Sequence, residues 1–363
     1  MDGKAKENKE NKKSVGLILA GCVKWILIYA VSTVLVFALF IVGTILVLVK
    51  GPSEKARYIF VNSCNETSAL KFVPYLFLDK ETVDTLLGPQ ETETDDYTEL
   101  GYKKEPDGEE DGETGSLTAD AGTDDEDEGF VDGIRVDDVK GPNYRGKMMI
   151  VKDPMRVVVG VLDNYGEGIY GQYLYEYMDR YKAVGGINAG GFVDVNGSGT
   201  GGIPDGIVIK DGKLKWGAPG AVYWNFIGID KDGYLKVGSW SAESAISAGV
   251  VDGVSFSAGS VLVQDGKAFK NLGGGVNPRT AVGQREDGTW LLLAIEGRHA
   301  GSLGASKQDL VDIMIEYGAV NAAMLDGGSS TDMMYNGESL IRGSGIIGMR
   351  RLPNTILVLP EAR

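Results

Sequence analysis

Between Trp25 and Val49 the chain runs for about 25 residues without a charge, rich in Val, Leu, Ile and Phe. Such a stretch can leave water only as a helix whose backbone groups bond one another. At about 1.5 Å per residue it is long enough for the roughly 30 Å core of a bilayer. Lys24 and Lys50 bracket it, and a Lys-rich arm from Lys4 to Lys13 precedes it. Positive charge is retained on the cytoplasmic side, so residues 1–24 are expected inside, 25–49 across the membrane, and the rest outside. A cleaved signal peptide is the rival reading. The apolar run is too long for one, and no small-x-small cleavage site follows it cleanly. With this topology Cys22 and Cys64 lie on opposite sides of the bilayer and cannot pair, so Cys64 is expected as a free thiol.

The 363 residues leave room for two compact domains, but charge is unevenly spread. Glu91 to Asp138 holds about 20 acidic and about 3 basic residues, more negative charge than the net −15 of the whole chain. With no dominant basic patch, nucleic acid is excluded as a partner. Residues 88–140 have too few large apolar side chains to offset chain entropy and are expected to be a disordered acidic linker. Deleting them should then leave the melting temperature nearly unchanged. Residues 50–87 are expected to be a juxtamembrane stalk, in which FVPYLFLDKETVDTLL could form a short helix or pack on the membrane face.

The texture then changes, and residues 141–363 read as one folded domain. Met155–Leu162 is a buried strand by composition, and Tyr170 to Tyr181 carries aromatic residues at helical spacing, which points to core. Four Asp-Gly pairs lie between apolar runs, at Asp211, Asp232, Asp265 and Asp287. Each supplies the positive φ that tight hairpins need. Ser306 and Asp309 form an acidic capping box ahead of Leu310, Ile313, Met314 and Tyr317, and Gly318 ends that helix. The expectation is an α+β domain with a largely antiparallel central sheet and a few packing helices, preceded by one transmembrane helix and the acidic linker.

Polar residues sit repeatedly at the ends of apolar runs, beside glycines. Asp326 follows Ala322–Leu325 and leads into Gly327, Gly328, Ser329 and Ser330. The glycines would leave a carboxylate and backbone N–H groups open to a ligand, and the serines can donate to phosphate or sugar oxygens. The alternative is a plain Asp-Gly turn. Arg279 opens a strand; its guanidinium matches phosphate geometry, though a surface ion pair would also use it. Glu296 ends Leu291–Ile295 in a partly dry setting suited to proton transfer, or pairs structurally with Arg298. His299 is the chain's one histidine and could work in acid–base chemistry or simply pack. Asn188, among Gly185, Gly186, Gly190 and Gly191, could bind sugar hydroxyls. Asp194, Asn196 and Ser198 resemble part of a calcium loop, but the bidentate Glu of an EF-hand is missing, so structural calcium is a minority reading and no cofactor is expected.

Five blocks occur in an order that resembles the phosphodiester glycosidase family. They are INAGGF at Ile187–Phe192, NPRTAVG at Asn277–Gly283, EGRHAGSLG at Glu296–Gly304, LDGGSS at Leu325–Ser330 and RRLPNTILV at Arg350–Val358. The family often has Asp-Gly-Arg where this chain has Glu296-Gly297-Arg298, a swap that keeps the carboxylate. It often has Asn where this chain has Met324, a swap that removes a polar group. Together with the outward topology read from the apolar run, the resemblance implies a membrane-anchored extracytoplasmic hydrolase that releases a sugar from a sugar-1-phosphodiester in a cell-surface polysaccharide or glycan. It implies Asp326, Glu296 or His299 as catalytic groups. Asn188, Arg279, Arg298, Gly327, Gly328, Ser329 and Ser330 would bind substrate. A non-catalytic carbohydrate or cell-wall binding module and a phosphodiesterase attacking phosphorus remain the alternatives.

Overall fold

The computed structural model describes residues 2–67, 70–88, 93–96, 129–194, 198–256, 261–342 and 349–361, with the backbone alone for 2–21 and 93–96. Helix α1 (Asp2–Lys50) takes in the basic arm and the apolar run. Its stretch Cys22–Lys50 has a mean hydropathy of 2.8 over its most apolar window, and none of that window is buried by the rest of the chain. The core helix of a soluble protein would be covered; this one leaves its apolar side chains uncovered. The hydroxyls of Ser32, Thr33 and Thr44 donate to carbonyls four residues back, at 2.7, 2.8 and 2.9 Å, so they need no outside partner.

The chain after α1 is folded. Arg57 donates through Nε to Val49 O (2.7 Å) and through Nη2 to Gly51 O (2.9 Å), satisfying carbonyls at the helix end. Helix α2 (Glu54–Asn65) is capped by Ser53, and α3 (Lys80–Leu87) by Asp79. Asn62 Nδ2 donates to Leu86 O at 3.1 Å and ties α2 to α3. What the sequence suggests as a stalk is a small helical collar at the end of the apolar helix.

The expected antiparallel α+β architecture is present, its strands divided among three sheets, and every described strand pair is antiparallel. The largest has eight strands, in the order Glu93–Asp96, Lys267–Lys270, Val261–Gln264, Asn321–Met324, Arg279–Gln284, Trp290–Ile295, Arg145–Val151 and Ile134–Lys140. One of its faces meets the other two sheets through Met149, Trp290, Leu292, Ile187, Ile356 and Val254. The other packs on helix α6 (Lys307–Glu316) through Met148, Leu291, Leu293, Leu310 and Met314. Burial on both faces explains why Trp290–Ile295 is apolar throughout instead of alternating.

All four Asp-Gly pairs turn hairpins. Asp211 and Gly212 (φ +52° and +68°) and Asp265 and Gly266 (+49° and +77°) use positive φ at both positions, whereas at Asp232-Gly233 and Asp287-Gly288 only the glycine does. Helix α6 carries its capping box: Ser306 Oγ accepts from Asp309 N (3.1 Å), and Asp309 Oδ2 accepts from Ser306 N (2.7 Å). The aromatic stripe forms a shorter helix than its spacing suggests. Helix α4 (Leu174–Tyr181) begins at Leu174, because Tyr170 is drawn into a bridge with Gly201; the short α5 (Ala242–Ser247) follows it in the chain. Tyr177 is core, its hydroxyl donating to Pro353 O at 2.8 Å.

The linker boundary needs correction. Ile134–Lys140 is not disordered but an edge strand of the large sheet, in register with Arg145–Val151. Ile134 and Val139 are buried on opposite faces of it. The carboxylates that disguise the strand are neutralised locally: Asp137 by Arg135 (2.9 Å) and Asp138 by Lys147 (2.6 Å). Glu93–Asp96, also within the acidic stretch, pairs with Lys267–Lys270. Much of the remaining linker, residues 97–128, lies outside the described residues.

Candidate functional site

Antiparallel pairing brings the chemistry-bearing ends together. Arg279 pairs with Ile295, so Glu296 leaves the sheet beside Arg279. Ala281 pairs with Met324, so Asp326 leaves at the same end. The strand Gly185–Asn188 of another sheet joins them there: Asp326 N donates to Ala189 O (2.9 Å), and Asn188 Nδ2 donates to Asp326 O (2.6 Å).

Asp326 keeps a little surface while protein surrounds its carboxyl. Burial pushes its pKa up to about 6, against the opposing pull of the Ser330 hydroxyl, the Arg350 charge and the Gly327 N–H. Asp332 is also driven to about 6 by burial, with the Met333 N–H opposing. Arg350 faces this corner. It reaches Ser329 Oγ (3.3 Å) and Asp194 (3.2 Å), and its guanidinium lies 5.3 Å from the Phe192 ring centroid.

On the other side of Gly327-Gly328 lies a group of cations. A side chain at Gly328 (φ +61°) would run into the Arg298 guanidinium, and one at Gly327 into Pro278 O. Arg279 is 5% exposed, yet its guanidinium is satisfied. It donates to Gly275 O (2.7 Å), Ala305 O (3.2 Å), Met324 Sδ (3.7 Å) and, through Nη2, Glu66 Oε2 (2.6 Å). Met324, where a polar residue was expected, therefore contributes a soft acceptor to Arg279. Glu66 also accepts from Asn277 Nδ2 (2.7 Å) and Gly275 N (3.3 Å). Arg298 donates to Thr67 Oγ1 (3.0 Å) and Asn277 Oδ1 (3.3 Å), and holds a left-handed φ of +62°. Such a backbone is uncommon for a non-glycine residue and is kept only where the surroundings enforce it. Lys307 approaches from the start of α6, with its Cε near the same point as Glu66 Oε1 and Arg279 Nη2. Burial lowers the Lys307 pKa; Glu66 opposes that shift and Arg279 adds to it.

Glu296 does not pair with Arg298. Its Oε1 accepts from Arg342 N (2.7 Å), and its Oε2 meets His299 Nε2 at 3.1 Å. Gly301 N donates to His299 Nδ1 (3.2 Å), so in the neutral ring the proton sits on Nε2 and is given to Glu296. The two form an oriented hydrogen-bonded pair.

Three expectations change. Asn188 is wholly buried; besides holding Asp326 O, its Oδ1 accepts from Thr280 Oγ1 (2.7 Å) and Asp332 N (3.1 Å). It positions Asp326 and does not face a sugar. The backbone N–H groups expected to be open are mostly taken: Gly327 by the Asp326 carboxyl, Gly328 by Pro278 O, Ser330 by Gly327 O and Thr331 by Gly328 O. Ser330 is likewise turned to Asp326, which leaves Ser329 as the serine beside Arg350. Of the calcium-loop residues, Asn196 lies outside the described residues, and Asp194 is engaged by Arg350 and Gly199 N (2.6 Å). No group of three potential metal ligands occurs among the described residues.

Glu66, Lys307, Asp332 and Arg350 were not singled out from the sequence. Arg350 and Asp332 lie within or just beyond matched blocks. Glu66 has no local signal at all.

The phosphodiester glycosidase family model matches residues 181–359. The SPbeta prophage-derived uncharacterized protein YomE of Bacillus subtilis (strain 168) is 33% identical over 171 residues, which covers 44% of this chain and 25% of that protein. The chain thus spans a quarter of that relative's length. Among solved structures, the catalytic domain of zebrafish N-acetylglucosamine-1-phosphodiester alpha-N-acetylglucosaminidase, auto-inhibited by its pro-peptide, is 23% identical with a TM-score of 0.49, covering 63% of this chain and 82% of that one. A protein of Burkholderia pseudomallei described as exported is 15% identical with a TM-score of 0.43, covering 60% and 74%.

Proposed function

We infer, from the premise that residues 181–359 are a domain of the phosphodiester glycosidase family, that this chain is a glycosidase-type hydrolase acting on a sugar-1-phosphodiester. The observation that supports it best is the arrangement of charged groups about Gly327-Gly328. On one side stands an enclosed carboxylate, Asp326, beside Arg350; on the other stand Arg279, Arg298 and Lys307. That arrangement suits cleavage of the bond between the anomeric carbon and the phosphate oxygen. The phosphate leaves as a stable anion, so the cations that neutralise it do more than a proton donor would. Asp326 stabilises the cationic sugar or activates water, and the Glu296–His299 dyad is the second proton-handling group.

Glu66 already occupies the guanidinium that the substrate phosphate would take. Substrate must displace it, so the apparent affinity is reduced by the fraction of molecules in which Glu66 has left. The test uses the purified chain, a panel of sugar-1-phosphodiesters and ¹⁸O-water. Label is expected in the released sugar. Label in phosphate would mean attack at phosphorus, and no turnover across the panel would favour a binding module. In the same assay Glu66→Gln should lower KM by about 10-fold with a smaller change in kcat. An unchanged KM would remove Glu66 as a competitor.

The Lys-rich arm ahead of the apolar run supports a domain outside the cytoplasm, anchored by α1. Its substrate is then a cell-surface glycan. Protease added to intact cells should remove the C-terminal domain; complete protection would reverse the topology.

A further inference from the structure

Among the described residues outside α1, the densest group of exposed large apolar side chains is in the collar: Leu70, Phe72, Tyr75 and Leu76. They fall within seven residues, on a run of tight turns. Val73 N donates to Leu70 O, Leu76 N to Val73 O, and Phe77 N to Pro74 O, at 2.9, 3.1 and 3.1 Å. Successive bonds of this i-to-i+3 kind stack side chains three apart. Leu70, Val73 and Leu76 therefore make one row, with Phe72 and Tyr75 beside it. Val73 is half-buried, and Pro74 is the buried residue that fixes the run to the collar.

The collar's location decides what this patch meets. Arg57 fastens α2 to the last carbonyls of α1. Asp79, just after the patch, has its pKa lowered by the Thr82 N–H and hydroxyl, and the charge of Lys50, the last residue of α1, adds to that, so Asp79 lies within electrostatic reach of the end of α1. Lys71 lies within the run and Lys80 follows it, both exposed. Apolar residues with an aromatic ring and lysines beside them, at the level where an apolar helix ends, match the headgroup and upper acyl region of a bilayer. The collar is also tied to the candidate site: Ser63 Oγ accepts from Val276 N (2.9 Å), and Glu66 and Thr67 meet Arg279 and Arg298.

We propose that the collar is a membrane-seated platform: Leu70, Phe72, Tyr75 and Leu76 enter the bilayer interface and hold the cleft of Arg279, Arg298 and Asp326 at the membrane surface, where its substrate class is a sugar phosphodiester carried on or next to lipid. This rests on reading α1 as the anchor. Glu66 follows α2 directly, and α2 is 12 residues, or about 18 Å, long. The cation group therefore stands within about two helix lengths of the membrane exit, too close to serve a distant wall polymer while the collar stays docked.

The test places an environment-sensitive fluorophore on single cysteines in the full chain, with Cys22 and Cys64 replaced by serine. The protein is reconstituted in nanodiscs of equal parts phosphatidylcholine and phosphatidylglycerol. Three positions are labelled separately: Phe37→Cys in α1, Leu76→Cys in the patch and Tyr234→Cys on an exposed hairpin of the domain. Phe72→Cys repeats the patch measurement should Leu76→Cys fail to fold. The expected result is blue-shifted emission, quenched by spin-labelled lipid, at 37 and at the patch, with water-like emission at 234. Lipid-like emission at 37 with a water-like patch overturns the platform and leaves the anchor standing. Water-like emission at both overturns the anchor and the platform together.

Discussion

Asp326→Asn should lower kcat roughly 100-fold or more and at the same time make the protein more stable above pH 6. Loss of a group that takes part in proton transfer or charge stabilisation costs about this much, with modest change in KM when the contact belongs to the transition state. The gain in stability follows from linkage. The folded carboxyl titrates at about 6, above its ordinary value of 3.8, so the folded state holds the proton more tightly. Its contribution is complete below about pH 4 and is lost as pH rises through 6. The rise corresponds to roughly 3 kcal/mol at 1.36 kcal/mol per pH unit, and partial exposure brings this to about 2. Asparagine does not titrate. The variant's advantage should therefore be near zero at pH 4, grow between pH 4 and 6, and level off as a melting temperature about 5 °C higher. Wild-type activity should rise through a limb near pH 6 as the carboxylate forms. Calorimetry across pH beside a pH–rate profile checks both. Wild-type kinetics in folded Asp326→Asn would pass the catalytic role to the Glu296–His299 dyad.

The second large effect concerns residues 129–140. Read from composition they are linker, and their deletion should do nothing; the structure requires the opposite. Ile134 and Val139 are 2% and 6% exposed, and the strand they occupy covers the edge of Arg145–Val151. Losing two buried aliphatic side chains costs roughly 4 kcal/mol before any lost ladder bonds. For a domain of this size that lowers the melting temperature by about 10 °C or more. The bared edge would also invite pairing with other chains, so aggregation on heating should increase. Calorimetry and light scattering of the deletion variant read both effects. An unchanged melting temperature would return the segment to the linker.

Local rules decided a large part of this protein. The apolar run from Trp25 to Val49 has no solution but a helix. The four Asp-Gly hairpins and the Ser306–Asp309 cap are settled by residues within four positions of one another, through φ preference and a side chain's reach to the nearest N–H. Those signals can be read one window at a time, and together they gave an antiparallel α+β domain. The ends of the apolar runs also marked Arg279, Glu296, His299, Arg298 and Asp326, because a polar residue at a strand end beside glycine has few other uses.

Tertiary structure decided the rest. The strand Ile134–Lys140 sits where two carboxylates can be neutralised by Arg135 and Lys147, so its acidity is compatible with an edge position, although it hides the buried pair Ile134 and Val139. Asn188, which looked like a sugar ligand, is turned inward by the approach of two sheets. The pairing of Glu66 with Arg279 joins residues 213 apart. No local preference reports on it, since a glutamate at the end of a helix is unremarkable until the fold carries it to a buried guanidinium. Periodicity and turn chemistry act over a few residues. Which charge ends beside which other charge depends on how sheets and helices pack, and that is where the contents of the cleft were determined.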